Sequence, residues 1–185
     1  NEGYENLTKI VSRGFVDGFY YKPRVDFETL REFSKGIIAS SACLAGEVAR
    51  NLAVNRYEDA KEAALRYRDI FGADNFFLEL QDHGLSVQKA VNQQLIQLSQ
   101  DTGIPLIATN DIHYTQPEDW EAHDLLLCLQ TGKKASDEDR MRYEGGQYYL
   151  KSEEEMRSLF AAVPEALENT AKIAARCEVE IRFHE

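Results

Sequence analysis

Phe76-Phe77-Leu78-Glu79-Leu80, followed at once by Gln81-Asp82-His83-Gly84, is a five-residue apolar run closed by a polar turn. Its length and its abrupt stop read as a buried strand of a parallel sheet. Two more runs have the same form, Gly36-Ile37-Ile38-Ala39-Ser40-Ser41 and Pro105-Leu106-Ile107-Ala108-Thr109. Between them apolar residues recur at spacings of three and four, as in Tyr57, Ala60, Ala63, Ala64, Tyr67, Ile70 and Phe71, or Val87, Ala90, Val91, Leu95 and Leu98. Each set makes one helical face that covers a sheet. Strand and helix alternate, so the fold class is α/β with parallel strands and outer helices.

Helix boundaries follow from local chemistry. Asn55 with Glu58, Thr115 with Glu118, and Ser152 with Glu155 stand three apart, the spacing of a reciprocal cap. Asp26 opens a short helix, Tyr4 to Arg13 reads as another, and Pro164 starts a last one running to about Cys177.

The 185 residues, 43% hydrophobic and 29% charged, suit one globular domain. They are too few for most complete eight-fold α/β barrels. Lys and Arg number 21 against 32 Asp and Glu, a net charge of −11. That sign opposes independent binding to a phosphate backbone. No apolar run approaches the roughly 20 residues of a membrane span, and Asn1-Glu2-Gly3-Tyr4-Glu5 is not a signal peptide. Three scattered cysteines, Cys43, Cys128 and Cys177, suit a reducing cytoplasm. The first residue is not Met, as expected of an excised segment.

In α/β folds chemistry gathers where strands end. The three runs lead into Cys43, into Glu79, Gln81, Asp82 and His83, and into Asp111 and His113. Asp111 and His113, two apart, share one side of an extended segment and suit Zn²⁺, Mn²⁺ or Fe²⁺. Alternatively Asp111 closes a turn and His113 packs on Tyr114. Cys43 is either an activated thiolate or a small buried hydrophobe. His83 is either a metal ligand, proton donor or phosphate contact at the same mouth, or a solvated loop histidine. Glu79 points away from Leu78 and Leu80, as a structurally paired strand carboxylate does. His123 reads as helix packing or a salt link, Lys133 to Arg140 as a solvated loop, and His184 carries no signal. No phosphate loop, Gly-x-Ser-x-Gly elbow or Cys-x-x-Cys pair is present.

Ser41-Ala42-Cys43-Leu44-Ala45-Gly46-Glu47, Leu78 to Gly84, Ile107-Ala108-Thr109-Asn110-Asp111-Ile112-His113-Tyr114, Leu127 to Lys133 and Tyr149 to Met156 form five ordered blocks. Together they closely resemble the PHP (polymerase and histidinol phosphatase) domain of the bacterial replicative DNA polymerase III alpha subunit. Gly3 to Leu7 and Pro164 to Thr170 extend the resemblance to nearly the whole chain. It implies a distorted seven-stranded α/β barrel holding up to three metals at its strand ends. Asp111 and His113 would be the last two ligands, and Cys43 would take a ligand position filled by His in many relatives. His83 and Glu79 match a family block without a ligand assignment. The family's opening His-x-His motif and its next ligands are not in this sequence. Residues 1–185 are therefore expected to be one partial PHP domain lacking the first barrel strands, with an incomplete Zn²⁺ or Mn²⁺ cluster.

The same resemblance implies a part of a DNA-polymerising alpha subunit. Its PHP domain would be a metal-dependent 3′–5′ exonuclease or phosphoesterase, inactive in this piece, or else a non-catalytic structural and interaction module. A stand-alone small-molecule phosphoesterase fits the blocks less well. Expected partners are DNA through other domains and other replicative subunits, with no membrane, a cytoplasmic location, and self-association along an open strand edge.

Overall fold

A computed structural model describes residues 1–183, so His184 lies outside the described residues. The chain opens with α1 (Glu2–Val16) and α2 (Phe27–Glu32), then β1 (Ala39–Ser40), α3 (Glu47–Ala53), α4 (Tyr57–Phe71) and β2 (Phe76–Leu80). α5 (Ser86–Thr102), β3 (Leu106–Ala108), α6 (Trp120–Thr131), α7 (Glu153–Leu159) and α8 (Pro164–Arg176) complete it. Among the described residues the strands form one open parallel sheet in the order β1-β2-β3, with Ala39 beside Phe76 and Leu78 beside Leu106. The α/β class is as expected. Among those residues no helix is long and apolar enough to cross a membrane.

β2 is central and buried on both faces except at Glu79. Phe76, Leu78 and Leu80 pack in one core with Val48, Ala49 and Leu52 of α3, Ala60, Ala63 and Ala64 of α4, and Val91, Leu95 and Leu98 of α5. The alanine face of α4 lets that helix lie close, so larger neighbours such as Phe76 fill the space. Glu47 at the start of α3 accepts from Arg66 at 2.5 Å and from the Tyr67 hydroxyl at 3.0 Å, clamping α3 to α4.

β1 is shorter than the six-residue run suggests. Gly36 turns at φ +75° before it and Ala42 at φ +61° after it. Gly36 also touches α1: a Cβ on Gly3 would stand 1.9 Å from the Gly36 carbonyl oxygen, so only glycine fits at Gly3.

The outer edge of β3 is covered by α8. Asn169 Nδ2 donates to the Leu106 carbonyl at 2.9 Å, and the Thr170 hydroxyl accepts from Ala108 N–H at 3.3 Å and donates to the Ala108 carbonyl at 2.9 Å. Side chains thus take the place of a fourth strand, one way natural sheets blunt an edge. No strand among the described residues pairs with the far side of β1.

Two of the expected caps move. Asn55 does not cap α4; it sits at φ +59° in the turn after α3, and Arg56 is the N-cap. Left-handed backbone suits Asn, and the turn takes precedence. The reciprocal cap expected at Thr115 forms one residue later, between Gln116 and Asp119. Ser152 with Glu155, and Asp26 with Thr29, form as read.

Candidate functional site

The strand ends gather polar groups around Glu79. Both the Ser40 hydroxyl at the end of β1 and the Thr109 hydroxyl after β3 donate to its carboxylate, the latter at 2.5 Å. Gln81 Nε2 adds a third donor at 3.1 Å. Ser41 continues the ladder with its side chain, its Oγ accepting from Glu79 N–H at 2.9 Å. One carboxylate therefore ties all three strands together where their backbone pairing stops. Neither Ser40 nor Thr109 was singled out in the sequence. Their signal was position, a hydroxyl closing the strand run on either side of the one that carries Glu79.

His83 is buried, 2% exposed, and is not a solvated loop histidine. Its Nε2 lies 2.9 Å from the Asn110 carbonyl, which only accepts, so Nε2 carries the proton. Nδ1 then accepts from Gln88 Nε2 at 2.9 Å, and Gln88 Oε1 accepts from His83 N–H at 2.8 Å. The ring also stacks on Tyr148, with centroids 4.0 Å apart. Both ring nitrogens are engaged within the fold.

Asn110 is the hub of this corner. Besides its carbonyl bond to His83, its Nδ2 donates to the Tyr149 carbonyl at 2.9 Å and its Oδ1 accepts from Lys151 Nζ at 3.4 Å. Lys151 is itself buried, donates to the Gln147 carbonyl, and lies 4.3 Å over the Tyr149 ring. Burial pushes its ammonium below the ordinary lysine range, against the pull of Glu155 and Asp82.

Asp111 and His113 meet, though not by extended geometry. β3 stops at Ala108 and Asp111 turns left-handed at φ +48°, which brings His113 Nε2 to 3.2 Å from Asp111 Oδ1. His113 N–H donates to the Tyr148 carbonyl at 2.8 Å. Its ring packs 4.4 Å from Tyr143 and 5.5 Å from His123. Desolvation, then the charge of His113, lowers the pKa of His123 below 6.5, while Asp124 pulls the other way.

Cys43 is exposed and lines with Glu79 and Gln81 a cavity of about 10 Å³ whose wall includes neither Asp111 nor His113. Cys128 is buried on α6, and Cys177 is exposed. Among the described residues no three His, Cys, Asp or Glu side chains converge tightly enough to hold a metal ion. Protein metal sites of this chemistry use at least three such ligands. The donors in hand, two in the Asp111–His113 pair, therefore do not by themselves fit a complete centre.

Arg140 corrects the reading of Lys133 to Arg140 as a solvated loop. Its guanidinium side chain is 5% exposed and forks onto both oxygens of Asp124 at 2.6 Å. That pairing holds Asp124 below the usual carboxylate range.

Comparison with known proteins finds clear likenesses. Residues 1–83 match the PHP domain family. The chain is 47% identical over 176 residues to DNA polymerase III subunit alpha of Borreliella burgdorferi, covering 95% of this chain and 15% of the relative. The protein of the same name from Treponema pallidum is 47% identical over 179 residues, 97% of this chain and 15% of that one. The Thermus aquaticus protein is 40% identical over 182 residues, again 97% and 15%. The chain thus spans about 15% of the length of these relatives. The chain, a parallel α/β sheet with helices on it, thus matches the PHP domain family over residues 1–83 and is similar along nearly its whole length to one segment of DNA polymerase III alpha subunits.

Proposed function

We propose that this chain is one piece of the PHP domain of a bacterial replicative DNA polymerase, and that it acts there as a structural and interaction module rather than as a nuclease. The observation that supports this reading is the use made of the strand-end donors. Glu79 is held by Ser40, Thr109 and Gln81, and His83 by Gln88 and Asn110, so these groups join one strand to the next. In this reading residues 1–185 lack the first strands of the barrel. Polymerisation and the main grip on DNA belong to other domains, which relieves the conflict with a net charge of −11. Other replicative subunits are the partners, and the cytoplasm is the location. The isolated chain is expected to self-associate along the β1 edge, which no strand among the described residues covers, and a monomeric sedimentation profile at high concentration rules this out.

A second reading, a metal-dependent 3′–5′ exonuclease, is favoured by the Asp111–His113 contact. Here Cys43, Asp111 and His113 would be ligands of Zn²⁺ or Mn²⁺, completed by residues from outside this chain, with His83 a candidate substrate contact. One experiment separates the two. In a chain extended to the length of its relatives, the structural reading expects no Mn²⁺- or Zn²⁺-dependent shortening of single-stranded DNA, and Glu79→Ala lowers the melting temperature and polymerisation together. Metal-dependent shortening that Asp111→Asn abolishes without changing the melting temperature would overturn it.

A further inference from the structure

We propose that the cleft beside Trp120 is a nucleotide-binding subsite, with the base against Trp120 and Tyr143 and the phosphate on Arg142. The cleft measures about 510 Å³, within the range of small-molecule sites. It lies off the strand ends described above, and nothing in the structural role assigned to them requires it.

Three features point to a ligand that is both flat and anionic. Trp120 is 47% exposed at the start of α6, a large aromatic face left to solvent, with Gly146 beneath its ring at a distance that already gives van der Waals contact to an added Cβ. Tyr143 supplies a second aromatic wall. Nucleobases stack on such surfaces whatever their sequence. Arg142 is exposed and donates from Nη2 to the Asp137 carbonyl at 3.0 Å, which fixes its guanidinium at the rim. A guanidinium fork held near an aromatic wall suits phosphate.

The floor of the cleft removes the obvious objection, the carboxylate of Asp124. Arg140 covers both Asp124 oxygens at 2.6 Å, so that charge is neutralised before a phosphate arrives. Arg140 Nε is buried with no hydrogen-bond partner. An unpaired buried donor is costly, and this one belongs to a residue of the lining. Among the described side chains the lining carries two guanidiniums and one paired carboxylate in a chain of net charge −11. Tyr143 also packs 4.4 Å from His113, so an occupant sits beside the strand-end loop.

The same chemistry is offered by a free deoxynucleotide and by the end of a single DNA strand. Trp120 is the single tryptophan of the chain, so its fluorescence reads the cleft directly. Titration of the 185-residue chain with dGMP should quench it saturably, and deoxyguanosine should bind more weakly. Arg142→Ala should weaken dGMP by about tenfold, as loss of a charge-assisted hydrogen bond does, and leave deoxyguanosine unchanged. A single-stranded oligomer ending in dG that binds more tightly than dGMP assigns the site to DNA, and equal affinity assigns it to the free nucleotide. Absence of saturable quenching, or equal affinity for dGMP and deoxyguanosine, refutes the proposal. Saturation-transfer NMR of dGMP with a chain of the relatives' full length, with and without Arg142→Ala, decides the case independently of how the short chain folds.

Discussion

Glu79→Ala removes the one acceptor shared by three strands. Ser40, Thr109 and Gln81 each lose a hydrogen bond to a charged group, and the two hydroxyls stay half-buried without that partner. Such bonds contribute about 1.5–3 kcal/mol each when buried. Glu79 is itself half-buried and the Gln81 contact is long, so a total near 3 kcal/mol is expected, the low end of the range for two of the three. For a domain of this size that corresponds to a loss of about 6–12 °C in melting temperature. Urea unfolding should show the midpoint falling with an unchanged slope, since the surface exposed on unfolding stays the same. Glu79→Gln keeps one acceptor oxygen, and a hydroxyl can turn to accept from the new amide, so its cost should be only about 1 kcal/mol. The opposite sign is the refuting result. A carboxylate held in place for an absent cation relieves repulsion when removed, so a neutral or stabilised Glu79→Ala would show that Glu79 is not the strand tie described here.

Leu52→Ala, at a side chain with no exposed surface, should cost about 2–5 kcal/mol by denaturant titration. Thr170→Val keeps the shape but strips Ala108 of its side-chain partner, and should speed amide exchange at Ala108 while costing about 1–2 kcal/mol. Ser152→Ala should cost about 1 kcal/mol through the lost cap of α7, measured as a shift in melting temperature. His123 has a lowered pKa in the fold, so as pH falls through 6.5 the unfolded chain takes up its proton first and stability drops. The loss levels off once the folded imidazole is protonated too, and His123→Phe should flatten that part of a stability-against-pH profile.

The layer structure was legible because it rests on periodicity. β2 follows its apolar run residue for residue, α4 buries Ala60, Ala63 and Ala64, and α5 buries Val91, Leu95 and Leu98, whereas Val87 and Ala90 of the expected α5 face are exposed and Gln88 is buried instead, because its side chain is taken up by His83. The strand ends were legible as a location but not as an arrangement. Asp111 and His113 were paired on an extended backbone, whereas a left-handed residue brings them together, and single-residue backbone choices leave little trace in sequence. Asn110 and Lys151 stand in the quoted blocks without a role, and Arg140 reads as solvated loop, because their partners lie 16 to 41 positions away. The Asn169–Thr170 pair belongs to a block that carries the family resemblance, yet its work on the β3 edge is visible only once α8 is placed.

The corner around Asn110 also changes how the chain between Thr115 and Gln147 should be regarded. Tyr114 bridges Tyr149, His113 N–H reaches the Tyr148 carbonyl, and Leu150 N–H donates to the Thr115 carbonyl at 3.3 Å, so the segment leaves and returns at one point. Its ends are fastened to each other before anything in between is considered. Such a side excursion can lengthen, shorten or carry an inserted element at little entropic cost to the sheet. Trp120 and α6 thus ride on a detachable arm, and new binding properties can be fitted to that arm while the strands beneath keep their register.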